Sequence, residues 1–225
     1  MKKLIRGVVD FRARRLNKYR MEFSHLSVQQ NPDALFIACS DSRVVPNTFA
    51  STDPGDLFVV RNVGNLVCPC GVEGLSLADV SEFAAIEYAI TELHVSDIVV
   101  CGHSECGAMR ALVTNQELGN MPHLRSWLRY GLPALERLRA GLAPDESLSE
   151  VNRLSQINVL VQLERLRTYD IVRESIENGA LKIHGWWFDL EKADVYAFNS
   201  VSGKFEIIDD VYTKSMMISN ERLLS

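Results

Sequence analysis

Short, uninterrupted apolar runs alternate with longer segments of helical periodicity along most of this 225-residue chain. The runs cover residues 34–38, 57–60 and 97–101, and such runs indicate strands that are covered on both faces. Strands that alternate with helices pair in parallel, and the helices pack on the two faces of the sheet. The sequence therefore predicts a single α/β domain with a central, mostly parallel sheet flanked by helices.

Apolar residues at helical spacing predict the helices. These are expected at residues 2–28, 76–94, 107–114 and 150–178, with short helices at 122–130 and 133–140. Ser76 and Asp79 suit the start of the second helix because their side chains can cap free N–H groups. Three late strands are predicted to form an antiparallel edge, at residues 180–188, 193–199 and 204–209, with a turn at 200–203.

The segment before the first strand is distinguished by its charge. Eight basic residues lie within positions 2–20, while Leu4, Val8 and Phe11 share one helical face. Such a charged face is usually solvated. A helix on a membrane surface is the alternative, but the apolar face is short and Asp10 interrupts the basic charge.

Composition narrows the class of protein. The net charge of −5 argues against a nucleic-acid binder, and no apolar run approaches the ~20 residues needed to span a membrane. The start of the chain lacks the apolar stretch of a secretory signal, so we expect a cytoplasmic protein, and association with a bacterial microcompartment stays open.

Five cysteines without an export signal favour thiols or metal ligands over disulfides. Because the predicted helix at 2–28 precedes the first strand, we expect an N-terminal helical segment at residues 1–30, which the resemblance described below implies is an arm, and an α/β domain at residues 31–225.

Reactive side chains follow two of the predicted strands. Residues 39–43 (Cys-Ser-Asp-Ser-Arg) come after the first strand, and residues 102–107 (Gly-His-Ser-Glu-Cys-Gly) come after the third. In open α/β sheets, ligands bind beyond the carboxyl ends of the strands. If these two strands are neighbours, Cys39, His103 and Cys106 can meet at one point.

Two thiolates and one imidazole suit zinc, which prefers tetrahedral nitrogen and sulfur coordination. Three protein ligands leave a fourth position for water or substrate, as in catalytic zinc sites, whereas structural sites usually have four protein ligands. Cys101 lies within the third strand, where a buried apolar role is expected. Cys68 and Cys70 could form a redox pair, but the single proline between them is a stiff spacer.

Asp41 and Arg43 flank the first ligand segment. A carboxylate beside a guanidinium stays ionised and is oriented by it. Next to zinc, Asp41 has two open roles: it accepts a hydrogen bond from water at the metal, or it coordinates the metal itself.

The two ligand segments together resemble the paired signature of β-class carbonic anhydrases. The likeness covers roughly residues 30–190 and includes residues 56–65, 84–89, 158–159 and 184–186. The resemblance implies four central parallel strands with an antiparallel addition. It also implies that the N-terminal arm embraces a partner subunit, giving a homodimer or a higher homo-oligomer with active sites near the dimer interface.

The resemblance implies that Cys39, His103 and Cys106 bind zinc, with Asp41 and Arg43 as the dyad beside it. The implied reaction is the reversible hydration of carbon dioxide to bicarbonate and a proton by zinc-bound hydroxide. Because two thiolates already neutralise the charge of the metal, its bound water should be less acidic. We therefore expect activity that rises above neutral pH.

The family's substrate pocket supplies further candidates. Tyr88 matches a pocket tyrosine of one branch, and Gly107 follows the last zinc ligand. Asp53 stands where that branch has a glutamine, and Cys70 stands where it has an aromatic residue.

The other branch of the family has an inhibitory bicarbonate site built from Trp, Arg and Tyr. The corresponding residues in this chain are Phe36, Arg61 and Phe188. Phe36 lacks the indole donor and Phe188 lacks the hydroxyl. We therefore expect this chain to lack that inhibitory site as it is usually built.

Three other functions are compatible with the sequence. The same scaffold could hydrolyse carbon disulfide or carbonyl sulfide, since the metal loops do not determine the substrate. A non-catalytic zinc scaffold or regulatory protein is the second, favoured by the residues at positions 53 and 70. A thiol redox protein that uses Cys68 and Cys70 is the third.

Overall fold

A six-stranded sheet forms the centre of the structure, a computed structural model that describes residues 1–71, 75–77 and 80–214. Its strands are β1 Ala34–Cys39, β2 Leu57–Asn62, β3 Asp97–His103, β4 Lys182–Asp189, β5 Asp194–Asn199 and β6 Lys204–Ile207. Their order across the sheet is β2-β1-β3-β4-β5-β6. The first four are parallel, whereas β5 and β6 pair antiparallel at one edge. The predicted fold class is thus confirmed.

Helices precede and connect the first four of these strands. They are α1 Lys2–Asp10, α2 Leu16–Leu26, α3 Pro46–Phe49, α4 Val80–Thr91, α5 Gly107–Val113, α6 Pro122–Leu128, α7 Leu132–Arg139, α8 Glu150–Leu166 and α9 Asp170–Glu177. A π-helical stretch, Phe11–Arg15, joins the first two, and a 3₁₀ turn, Arg129–Gly131, precedes α7. In the part of the chain that the structure covers, no helix combines the length and apolar character needed to cross a membrane.

The predicted helix at 150–178 is wrong in one respect, because the structure divides it into α8 and α9. Tyr169 has an extended backbone, with φ −86° and ψ 128°, and its side chain is 1% exposed. This backbone turns the ring into the core, where it stacks on Phe83 at a centroid distance of 3.6 Å. Its hydroxyl donates a hydrogen bond to the carbonyl oxygen of Cys68 at 2.8 Å.

The start of α4 also differs from the prediction. The helix begins at Val80, whereas Ser76 forms an isolated antiparallel bridge with Cys70. Pairing with an extended segment prevents Ser76 from starting the helix. Asp79, the other predicted start residue, lies outside the described residues.

Helix α8 packs closely over the carboxyl end of β3. A Cβ atom on Gly102 would lie 2.8 Å from Val159 Cγ2 and 3.1 Å from Ser155 Oγ. Real Cβ atoms are almost never that close to another atom, so only glycine allows this approach. The middle of α8 therefore lies beside the end of β3.

The N-terminal arm contributes nothing to the core of a single chain. Helices α1 and α2 bury no residue, and Leu4 and Val8 are 69% and 68% exposed. An exposed apolar face of this kind usually marks a surface for another molecule.

Candidate metal centre

Three metal-ligating side chains converge at the carboxyl ends of two neighbouring strands. Cys39 is the last residue of β1, His103 is the last residue of β3, and Cys106 immediately precedes α5. Because β1 and β3 pair directly and in parallel, their ends lie side by side. The ligand atoms of the three residues lie within 4.8 Å of one another, and all three residues are buried.

The hydrogen bonding of His103 leaves one nitrogen of its ring available to bind a metal. Nδ1 of His103 lies 2.8 Å from the carbonyl oxygen of Ser104. Because a carbonyl oxygen only accepts, Nδ1 carries the proton and Nε2 keeps its lone pair. That Nε2 atom is buried and has no hydrogen-bond partner among the described residues. A buried acceptor without a partner is costly unless a cation or a donor binds to it.

The two thiols interact with each other. A hydrogen bond from Cys106 lowers the pKa of Cys39 to about 4, helped by the N–H of Gly64. The same interaction with Cys39, together with burial, raises the pKa of Cys106. A bound divalent cation would keep both sulfurs deprotonated. The donor set therefore fits zinc, and among the described residues the group has no fourth His, Cys, Asp or Glu.

Asp41 lies beside this group, in a fixed ion pair with Arg43. Arg43 Nε donates to Asp41 Oδ1 at 2.9 Å, and Nη2 donates to Oδ2 at 2.8 Å. The backbone N–H of Arg43 also donates to Oδ1, at 3.0 Å. These hydrogen bonds from Arg43 hold the pKa of Asp41 well below its usual range. Asp41 Oδ2 lies 4.0 Å from His103 Nε2, so an ionised oxygen faces the metal position.

Arginine side chains also hold the backbone of the ligand loops. Nε and Nη2 of Arg61 donate to the carbonyl oxygen of Cys39 at 3.1 and 2.9 Å, and Nη2 donates to the carbonyl oxygen of Asp41 at 2.6 Å. Arg43 Nη2 reaches the other loop, at the carbonyl oxygen of Glu105, 3.2 Å away. From the sequence, Arg61 was considered only as the counterpart of an arginine in the inhibitory site that this chain is expected to lack, and its role in holding the ligand loops was missed.

The aromatic residues at the positions of the inhibitory site are part of the core. Phe36 is 1% exposed and contacts Trp186 edge-on, at a centroid distance of 5.7 Å. Phe188 stacks on Phe49 at 4.6 Å. Neither phenylalanine side chain carries a polar atom for bicarbonate, and the absence of the inhibitory site stays a prediction.

A cavity of about 360 Å³ opens beside Cys39. Its wall is mostly apolar, and the predicted pocket residue Gly107 belongs to it. The lining residues are Cys39, Ser40, Asp41, Val63, Gly107, Ala108, Ala111, Gln116, Leu118, Met121, Leu124 and Leu128. A small, uncharged substrate suits this space better than a large or ionic one.

The other predicted pocket residues lie elsewhere in the single chain. Tyr88 is 45% exposed on α4, where its ring lies 6.0 Å from that of Phe58. Asp53 is exposed in the turn before β2, and Cys70 lies in the isolated bridge with Ser76. None of these three candidates lines the cavity beside Cys39.

Comparison with known proteins identifies the family. Residues 34–195 match the family model described as carbonic anhydrase. The solved structure of the β-carbonic anhydrase CcaA is similar to this chain, with a TM-score of 0.84 and 36% sequence identity over 92% of this chain and 98% of that one. The chain belongs to the β-class carbonic anhydrases.

Relatives agree with this family membership over most of the chain. A carbonic anhydrase from Pseudomonas aeruginosa is 39% identical over 208 residues, which are 91% of this chain and 90% of that protein. A β-carbonic anhydrase from the ascomycete Sordaria macrospora, described as tetrameric, has a TM-score of 0.75 and 30% identity, covering 88% of this chain and 96% of that one. This member of the family is accordingly an enzyme of the carbonic anhydrase type.

Proposed function

We propose that the chain catalyses the reversible hydration of carbon dioxide to bicarbonate and a proton, with zinc held by Cys39, His103 and Cys106. The observation that carries this proposal is the buried group of two sulfurs and one imidazole, with Cys39 at the wall of a mostly apolar cavity. Zinc at such a site lowers the pKa of a bound water, so that hydroxide is available near neutral pH.

The residues of the chain have separate tasks in this reaction. Ionised Asp41 accepts a hydrogen bond at Oδ2 and so orients water at the metal. Arg43 keeps Asp41 ionised and fixes its direction through two side-chain hydrogen bonds. The apolar cavity wall, which includes Gly107, holds carbon dioxide and limits competing water.

The geometry favours an acceptor role for Asp41 over coordination of the metal. Both carboxylate oxygens already accept hydrogen bonds from Arg43. Coordination by Asp41 would compete with these charge-assisted bonds, which are about twice as strong as neutral ones.

We also propose that the protein acts as a homodimer or a higher homo-oligomer through its arm. Positions 1–20 carry eight basic residues and one acidic residue, so the rest of the chain has a net charge of −12. The basic arm and the acidic remainder of a second copy are thus complementary. A second copy could also bring Tyr88, Asp53 and Cys70 to a substrate pocket.

The cytoplasmic location of the protein stays a prediction from the sequence.

Exchange of isotopically labelled oxygen between carbon dioxide and water tests the reaction. Zinc-loaded protein should accelerate the exchange, a chelator should abolish the acceleration, and added zinc should restore it. Zinc-loaded protein that hydrolyses carbonyl sulfide but leaves this exchange at the background rate would contradict the proposed reaction.

A further inference from the structure

Helix α8 carries four buried polar side chains where it packs over the sheet. Ser155, Gln156, Asn158 and Gln162 are each at most 3% exposed. Burying polar groups on a helix is costly unless they are hydrogen-bonded. Ser155 contacts the backbone of His103 directly, and Asn158 contacts Gly64, whose N–H donates a hydrogen bond to Cys39.

Ser155 holds the backbone of the histidine ligand. Its hydroxyl donates to the carbonyl oxygen of His103 at 2.7 Å and accepts a hydrogen bond from Trp187 Nε1 at 3.2 Å. With both a donor and an acceptor engaged, the hydroxyl has one favoured direction. The close approach of α8 to Gly102 brings Ser155 within reach of this carbonyl.

Asn158 is linked to Cys39 by hydrogen bonds through one intermediate residue, Gly64. Its Nδ2 donates to the carbonyl oxygen of Gly64 at 3.0 Å. The N–H of Gly64 in turn donates to Sγ of Cys39 at 3.3 Å. Asn158 Oδ1 accepts from Gln162 Nε2 at 2.8 Å, which fixes the orientation of the amide.

The backbone at Gly64 has little freedom to move. Its φ is +85°, a conformation that favours glycine, and a Cβ there would lie 3.0 Å from Cβ of Ala108. Ala108 lies two residues beyond Cys106. The turn at Gly64 is therefore wedged between the sulfur of Cys39 and the helix that follows Cys106.

We propose that Ser155 and Asn158 are positioning residues for the metal centre. From one rigid helix, they hold the carbonyl of His103 and the turn that donates to Cys39. They thereby fix the distance and orientation between ligands that come from two different strands. This inference rests on the proposed function only in requiring that the site binds zinc.

Loss of either anchor should loosen the ligand set. Replacing a residue that holds a metal ligand by a hydrogen bond typically lowers metal affinity by about 10- to 100-fold. We expect Asn158→Leu and Ser155→Ala to release zinc about 10- to 100-fold faster than the parent protein. The matched control is Gln156→Met, because the side-chain oxygen of Gln156 is buried on the same helix without a hydrogen-bond partner among the described residues.

The experiment follows transfer of zinc from each full-length protein to excess chromogenic chelator. Cobalt-substituted samples give a second readout, since their thiolate-to-metal absorption bands report ligand geometry. Faster release and altered cobalt spectra in the two variants, with parental behaviour in the control, are expected. Thermal unfolding of each metal-free protein separates these effects from a general loss of stability.

Parental release rates and cobalt spectra in Asn158→Leu and Ser155→Ala would overturn the inference, even if both variants unfold at lower temperature. Equal acceleration in the Gln156→Met control would also overturn it, since the effect would then be general loosening of α8. Ser155→Ala removes only one oxygen atom, so it provides the test if Asn158→Leu fails to fold. Protein that binds zinc but hydrates no carbon dioxide would contradict the proposed function and leave this comparison valid.

Discussion

At the scale of single residues, the proposed reaction depends on Asp41, a carboxylate whose charge and direction are both fixed. The guanidinium of Arg43 holds the pKa of Asp41 well below its usual range. Asp41 therefore stays ionised as the pH rises from 6.5 to 9, well above the ordinary pKa of an aspartate. A change of rate with pH in that interval must come from another group, and water at the metal is the expected one.

Replacing Asp41 by asparagine tests its role. Asp41→Asn keeps the shape of the side chain but removes the charge, so we expect kcat/KM for carbon dioxide hydration to fall about 10- to 100-fold while zinc content is unchanged. The matched control is Asp170→Asn, which also removes a carboxylate paired with an arginine, 2.6 Å from Arg173. Loss of zinc from Asp41→Asn, with parental loading in the control, would instead indicate that Asp41 is a metal ligand.

The sequence could predict that Cys39, His103 and Cys106 lie together as candidate ligands, but it could not predict which residues hold them. Cys39 and the His103–Cys106 pair each follow an apolar run, and residue types with this placement indicate a metal. Ser155 and Asn158 act through backbone carbonyls that are 52 and 94 positions away in sequence. The sequence does show polar residues on an otherwise apolar face of the helix. That pattern indicates a buried hydrogen bond, but it does not identify the hydrogen-bond partner.

At the scale of elements, strands were predicted more accurately than helix ends. An apolar run predicts the ends of a buried strand to within one or two residues. The run at 34–38, for example, corresponds to β1, Ala34–Cys39. The break between α8 and α9 was missed because buried apolar residues continue at helical spacing through it, at Leu166, Tyr169 and Val172. Periodicity cannot show that Tyr169 needs an extended backbone to stack on Phe83.

The contact between α8 and β3 gives a prediction at this scale. In Gly102→Ala the added methyl group would overlap Val159, so we expect unfolding free energy to fall by about 1–3 kcal/mol. Urea denaturation measures this loss. Gly7→Ala is the control, because a Cβ at Gly7 meets nothing within 4 Å in the single chain and alanine favours helices. Equal urea midpoints for Gly102→Ala and the parent would show that α8 can move away from the sheet without cost.

At the scale of the whole molecule, the arm is the feature that a single chain leaves unexplained. Its apolar face is exposed, its charge is opposite to that of the remainder, and three candidate pocket residues lie away from the cavity. Assembly with a second copy would account for all three observations.

A charge on the arm should disrupt that assembly. Val8→Asp places a carboxylate on the apolar face, so we expect sedimentation to show smaller species and the hydration rate to fall. Val201→Asp adds the same charge in the turn before β6, where the valine is 96% exposed, and should sediment like the parent. Unchanged sedimentation of Val8→Asp would contradict the arm as an assembly surface.

Stopped-flow hydration of carbon dioxide between pH 6.5 and 9 measures the proposed reaction and its dependence on the ligand set in one experiment. The samples are zinc-loaded parent protein, Cys106→Ala and the control Cys101→Ala, a buried cysteine of β3 outside the ligand group. We expect a rate that climbs with pH in the parent and in Cys101→Ala and that is lost, together with zinc, in Cys106→Ala. Zinc-loaded parent protein without turnover at pH 9, or Cys106→Ala with the parental rate, would rule out zinc-dependent hydration at this site.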